Sequence, residues 1–450
     1  MKKWISVAGA ICLAGTNFAQ SPTAPQTNAA PILERAQVTG DWFGTRPVLS
    51  DRGVEIFGNY AAEVWGNASG GLKTGAVYTG LLNFGATVDL DKAVGWKGAS
   101  ASTTWCWLSG RDASEDLVGN LLTISNIAGF NTLRMFNLWF QQNLWDDKIS
   151  IRLGQICPDC EFVISDYAGL FINSTFGFPA LVTQNLPNGG AGFPMGTLGA
   201  RATWNPADWF TFQTAVFQGD AFAQDVNRHG FRWQLDAQTG YTFFDEAQFR
   251  WNRRDDETGL PGQLKTGAWF QTGQSADALT ESTDSGNAGF YVILDQMLYR
   301  EPCGPSAPGD GGKSIVDGKG AKSFKTPVTT EKSDQGLGWF GRTGFAPADR
   351  NFINFYFDTG LSYKGLIPGR DDDTLGIGWG YAQLSNGARA SLKDEGSNPA
   401  GAEMVVELTY QARLCPSLVI QPDLQYIINP GGTTDLNNAL VIGMRAAVTF

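Results

Sequence analysis

A chain of 450 residues with a net charge of −11 presents no basic face for a nucleic acid. After the N-terminus no stretch holds the ~18 consecutive apolar residues of a membrane helix. Yet the chain carries 15 Trp, 29 Phe, 11 Tyr and 56 Gly with only 17% charged residues, a balance that fits aromatic girdles and glycine-rich strands and turns.

The chain opens with Lys2 and Lys3, a short apolar run over 5–15, and Asn17-Phe18-Ala19 ahead of Gln20. Residues 1–19 therefore read as a secretory signal. Residues 20–39, rich in Pro, Ala and Thr, read as a flexible leader. Loss of Cys12 with the signal leaves Cys106, Cys157, Cys160, Cys303 and Cys415, too few and too odd for a disulfide framework.

From Gly40 onward, segments of about ten residues alternate in character between turn signals. Tyr60, Ala62 and Val64 oppose Asn59 and Glu63; Leu82, Phe84, Ala86 and Val88 oppose Asn83, Thr87 and Asp89. Ile149, Ile151 and Leu153 oppose Ser150 and Arg152, and Ala247, Phe249 and Trp251 oppose Glu246, Gln248 and Arg250. Phe355, Phe357 and Leu361 oppose Tyr356 and Asp358. Val406 and Leu408 oppose Glu407, and Leu424 and Tyr426 oppose Asp423 and Gln425. The last segment puts Ile442, Met444, Ala446, Val448 and Phe450 against Gly443, Arg445, Ala447 and Thr449.

A two-residue period sends alternate side chains to opposite faces. A soluble sandwich alternates too, with its apolar face inward. Here the apolar faces are rich in bulky aromatics and the opposite faces carry Arg, Glu, Asp, Gln and Asn, as lipid outside and water inside require. The fold expected is all-β, a transmembrane antiparallel barrel of about 16 strands over 40–450, wide enough for an aqueous lumen. The one helix-like pattern lies over 113–129.

Two connections are long. Residues 166–198, with Phe171, Phe176, Phe178 and Phe193, read as a packed loop folded into the barrel mouth. Residues 301–335, rich in Gly, Lys, Ser and Asp, read as an exposed outer loop.

Strand parity places Arg152, Arg201, Arg250, Arg445, Glu63, Glu246, Glu407, Asp295 and Asp423 toward the lumen, with the aromatics Trp139, Trp269 and Tyr356. Catalytic signatures are absent. His229 is the sole histidine, which disfavours a Ser-His-Asp arrangement. Gly312-Lys313-Ser314 lacks the strand-to-helix setting of a phosphate loop. Cys157-Pro-Asp-Cys160 has no second CxxC for a zinc site; it is a local disulfide or a pair of free thiols. No metal or cofactor is expected.

Several segments together resemble the carbohydrate-selective porins of the OprB family, from about Gly40 to Phe450. They are Gly40-Asp41-Trp42-Phe43-Gly44-Thr45-Arg46, Leu138-Trp139-Phe140-Gln141-Gln142, Arg152-Leu153-Gly154-Gln155, Glu161-Phe162 with Phe171 to Pro179, Leu260-Pro261-Gly262, Asp295-Gln296 and Gln421-Pro422-Asp423-Leu424-Gln425-Tyr426. The resemblance implies a 16-stranded barrel in the outer membrane of a Gram-negative bacterium and passive diffusion of glucose-like sugars. It also implies outer-membrane lipid and lipopolysaccharide as surroundings, and barrel assembly machinery that reads Phe450. A homotrimer is among the states it allows. The alternatives are a weakly selective porin for other small solutes and a secreted β-protein that binds or cleaves polysaccharide. The CxxC and the Gly/Lys-rich loop depart from the family pattern. A sugar presents hydroxyls and flat CH faces, so Arg, carboxylates and amides beside Trp and Tyr are the groups that would select it.

Overall fold

The computed structural model describes residues 31–235, 239–254, 257–276, 283–302 and 333–450. The proposed signal, residues 20–30 of the leader, and residues 303–332 of the long Gly/Lys-rich connection lie outside the described residues. Sixteen antiparallel strands form one closed barrel. They are β1 (Val54–Ser69), β2 (Gly75–Asp89), β3 (Ala99–Gly110), β4 (Thr132–Leu144), β5 (Ile149–Ile156), β6 (Thr197–Ala207), β7 (Phe210–Gln218) and β8 (Tyr241–Trp251). The second half is β9 (Gly262–Ala276), β10 (Thr283–Arg300), β11 (Gly336–Phe345), β12 (Ile353–Lys364), β13 (Thr374–Leu384), β14 (Ala402–Cys415), β15 (Leu418–Ile428) and β16 (Ala439–Thr449). Each strand pairs with its neighbours in sequence, and β1 pairs with β16 to shut the seam, Glu63 opposite Arg445. Closure leaves no unpaired edge, the condition for a sheet to lie in lipid.

The side-chain parity read from the sequence sets the two faces. Ile442, Met444, Leu408, Leu424, Leu153, Phe243, Phe270 and Phe290 stand exposed on the outside. Among the described strand side chains, Asp245 is the one charged group at an outward mid-strand position. The inward positions hold the arginines, glutamates and amides.

The two rims differ. One carries both barrel termini and the connections 90–98, 145–148, 208–209, 252–261, 365–373 and 416–417. The other carries 111–131, 157–196, 219–240 and 385–401. Short turns face the periplasm and long loops the exterior. The connection 301–335, most of it outside the described residues, leaves from Arg300 and returns at Gly336, which pair with each other on the terminus-bearing rim.

Segments 111–131 and 157–196 turn into the barrel. Leu117, Val118, Leu122, Ile124, Phe171, Ile172, Phe176 and Leu181 pack against the wall residues Trp65, Phe340, Tyr356, Val405 and Ile427. A second cluster joins Phe162, Val163, Phe178, Val182 and Leu186 to Phe217, Phe244, Trp269, Tyr291 and Ile293. Part of the interior is thus dry and close-packed.

The helix expected over 113–129 is replaced by a single π-turn, Ser114–Val118, and irregular chain. The reason is local. The N–H groups of Leu121 and Leu122 donate to the Glu403 carboxylate of β14, 2.8 and 2.7 Å away, instead of to carbonyls four residues back. A wall acceptor has taken the place of helical hydrogen bonds.

Candidate functional site

Inward carboxylates and amides of the wall are matched to the backbone of the inserted segments. Glu407 accepts from Ile172 N–H at 2.6 Å and Asn173 N–H at 3.0 Å. Glu403, besides Leu121 and Leu122, accepts from Gly431 N–H at 2.6 Å. Glu246 accepts from Val163 N–H at 3.0 Å and from the Tyr291 hydroxyl at 2.9 Å. Asp295 accepts from Asp166 N–H at 3.1 Å and from the Ser165 hydroxyl. Gln425 and Gln421 donate to the carbonyls of Ile124 and Leu170 at 2.9 and 2.8 Å. Arg342 reaches the carbonyls of Thr175, Gly177 and Val163 at 2.9, 3.0 and 3.1 Å while its guanidinium is paired with Asp358. Every buried amide in such a segment needs a partner; some are paired between the two segments, as Asn126 N–H is with the Ile172 carbonyl at 2.9 Å, and the wall's side chains take others.

Of the residues chosen by parity, Glu246, Glu407 and Asp295 therefore anchor the inserted chain. Asp423 is buried and accepts from Gln425 at 3.0 Å. Trp269 and Tyr356 point inward but lie beneath the inserted chain, each 1% exposed. Glu63 and Arg445 form a buried ion pair across the seam, and Arg445 also donates to Asn126 at 2.5 Å. Arg250, nearer the periplasmic rim, bonds the Thr211 hydroxyl at 2.9 Å and the Gln248 amide.

The remaining three meet on one wall. On β5 and β6, Arg152 and Arg201 face each other in register. Arg152 lies over the Trp139 ring at 4.1 Å. Its Nε and Nη2 donate to Gln141 Oε1 at 3.0 and 2.8 Å, and Arg201 Nη2 reaches the same oxygen at 3.2 Å. One carboxylate serves both cations: Glu161 accepts from Arg152 Nη1 at 2.5 Å and from Arg201 Nε. Arg201 also bonds the Ser150 hydroxyl. The Arg152 side chain retains 20% exposure, more than its partners. Planar donors, a carboxylate, an amide and an indole face are here gathered in one place.

Glu161 stands directly after Cys157 and Cys160, which are joined as a disulfide. Between them Asp159 accepts from Phe193 N–H at 2.8 Å. Sequence reasoning missed Glu161, Glu403, Arg342 and Asp358 as site residues. For Glu403 the signal was present, four residues before Glu407 on the same strand face.

Between segments 111–131 and 157–196 lies a chamber of about 620 Å³, lined by Asp112, Glu115, Asp116, Asn126, Phe130 and Asp159 among others. Burial raises the Asp112 and Asp159 carboxyls to about 6. The raised value means both are charged at neutral pH and lose charge below about 6. Acidifying from pH 7.5 to 5 should therefore shift the selectivity of the channel away from cations. The reversal potential in a salt gradient reads this, and a profile flat across pH 6 would refute it.

The sequence pattern of the carbohydrate-selective porin, OprB family, matches residues 73–450. The chain belongs to that family. Porin B of Pseudomonas aeruginosa is 24% identical over 445 residues, 91% of this chain and 90% of that protein. A putative porin, QuiX, of Acinetobacter baylyi is 22% identical over 456 residues, 93% of this chain and 94% of that protein. The high-pH structure of Pseudomonas putida OprB superposes with a TM-score of 0.77 at 23% identity, covering 92% of this chain and 98% of that one. This OprB-family porin is thus a channel of the Gram-negative outer membrane for carbohydrates, and a channel rather than an enzyme.

Proposed function

We propose that this porin passes glucose-like neutral sugars, and that the wall formed by Arg152, Arg201, Glu161, Gln141 and Trp139 selects them. The observation that carries the reading is the Arg152 fork, 20% exposed, laid over Trp139. A sugar ring offers vicinal hydroxyls to a guanidinium and a CH face to an indole, and mixed charge lets a neutral solute compete well against ions. Sugars pass down their gradient unchanged, with no catalytic step. Replacing Arg152 by Ala removes a charged hydrogen-bonding group worth about 1.5–3 kcal/mol. Glucose block of single-channel current should weaken by roughly tenfold while the barrel stays folded. Undiminished block in a folded Arg152→Ala channel would remove the residue from the selective wall.

The same reading takes outer-membrane lipid and lipopolysaccharide as the surroundings of the outward aromatic faces, and a homotrimer as the assembly to test. It also takes the barrel assembly machinery as the reader of Phe450, an outward terminal aromatic whose N–H bonds the Gly58 carbonyl at 2.8 Å. A Phe450→Asp protein should reach the outer membrane at severalfold lower level than wild type. Equal amounts of heat-modifiable barrel in the membrane fraction would contradict this.

A further inference from the structure

The proposed selective wall contains one group that does not come from the wall. Arg152, Arg201, Gln141 and Trp139 sit on β4, β5 and β6. Glu161 sits on the inserted segment, one residue beyond a disulfide that closes just after β5 ends. Three contacts fix the Glu161 backbone. Its N–H and that of Phe162 donate to the Pro158 carbonyl, inside the disulfide loop, at 2.9 and 2.7 Å. Its own carbonyl accepts from Gln213 Nε2 at 2.5 Å. The loop itself is pinned by the Asp159 bond to Phe193 N–H.

Two guanidinium groups that share one amide oxygen repel each other unless an anion lies between them. Glu161 is that anion, held within the chain. With its carboxylate in place, Arg152 and Arg201 spend donors on Glu161 and carry a single net positive charge between them. With it displaced, the same pair presents a doubly charged fork of the kind that binds carboxylates bidentately.

We propose that the Cys157–Cys160 disulfide is a positioning device for Glu161, and that it thereby closes the arginine pair to anionic solutes such as sugar acids. This inference rests on the reading that the pair lies in the solute path. The disulfide shortens the freedom of the turn that carries Glu161. Without it, the turn relies on the Asp159, Pro158 and Gln213 contacts to hold the carboxylate between two cations.

The test uses the full-length channel in planar bilayers at pH 7.5. Three states are compared: wild type, wild type reduced by dithiothreitol with free thiols counted by maleimide mass labelling, and Cys157→Ser/Cys160→Ser. Charge selectivity is read from the reversal potential in a KCl gradient, and binding from current block by glucose and by gluconate. A Glu161→Gln channel serves as the reference for a displaced carboxylate. Reduction and the double serine variant should each shift the reversal potential toward anions and strengthen gluconate block at least threefold, with glucose block weakened. Glu161→Gln should show the same shift and gain nothing further from reduction. If Glu161→Gln shifts selectivity but fully reduced wild type and the serine variant do not, the disulfide has no positioning role and the inference falls. If Glu161→Gln itself changes neither selectivity nor block, the arginine pair is not in the path and the underlying reading falls with it. A loss of heat stability without a change in reversal potential would assign the disulfide to stability alone and overturn the proposal.

Discussion

A Glu407→Ala porin should conduct more and discriminate less. Glu407 is fully buried and takes both hydrogen bonds of the Ile172 and Asn173 amides. Without its carboxylate those amides have no acceptor, at a cost of about 1–3 kcal/mol each. Asn173 is also tied to Leu122 and Gln425 by its side chain, at 2.8 and 2.9 Å, so the loosened point joins both inserted segments. The expected result is a higher single-channel conductance, weaker sugar block and a noisier open state, in a barrel that still runs as folded. Glu407→Gln keeps one acceptor oxygen and should fall between. An unchanged conductance and block in Glu407→Ala would show that the inserted chain holds its place without this anchor.

Arg342→Met should be the most destabilising single change in the interior. The guanidinium is paired with Asp358 at Nε to both carboxylate oxygens, 3.0 and 3.1 Å, and through Nη2 as well. Both side chains are almost inaccessible, at 2% and 0%. Removing one member of such a pair leaves a buried unpaired charge, a loss of about 3–5 kcal/mol. Arg342→Met/Asp358→Leu removes both charges and should recover much of that loss. It should not recover channel behaviour, because the carbonyls of Val163, Thr175 and Gly177 also lose their donor. Denaturant midpoints for the two variants, beside sugar block, separate the contributions. A double variant no more stable than Arg342→Met would mean that the carbonyl contacts, not the ion pair, carry the energy.

The barrel was legible because its rule is local. Along β16 each residue declares its face by whether it faces lipid or interior, and the same rule places Arg152, Glu246 and Glu407 inward. Parity tells which way a side chain points and is silent about what it meets there. Trp269 and Tyr356 meet packed chain, while Arg152 stays partly exposed. That distinction depends on segments far away in sequence: the Glu407 contacts span more than two hundred positions. On β11 the pattern itself is faint, since Gly336, Gly338, Gly341 and Gly344 interrupt it, and Arg342 passed unnoticed. The 113–129 segment misled for a related reason. Its apolar residues suit a helix, and only the distant Glu403 decides that its amides are satisfied otherwise.

The seam between β1 and β16 carries a consequence for assembly. The ion pair that bridges it, Glu63 with Arg445, lies inside, and Arg445 also holds Asn126 of the first inserted segment. The second inserted segment is bound from β8, β10, β11 and β14, strands that follow it in the chain. A ring finished first would leave these segments to be threaded through an open mouth and desolvated there. An order in which the wall curls around chain already gathered within it, each later strand bringing its own clasp and the first and last strands meeting on a vessel already full, avoids that cost.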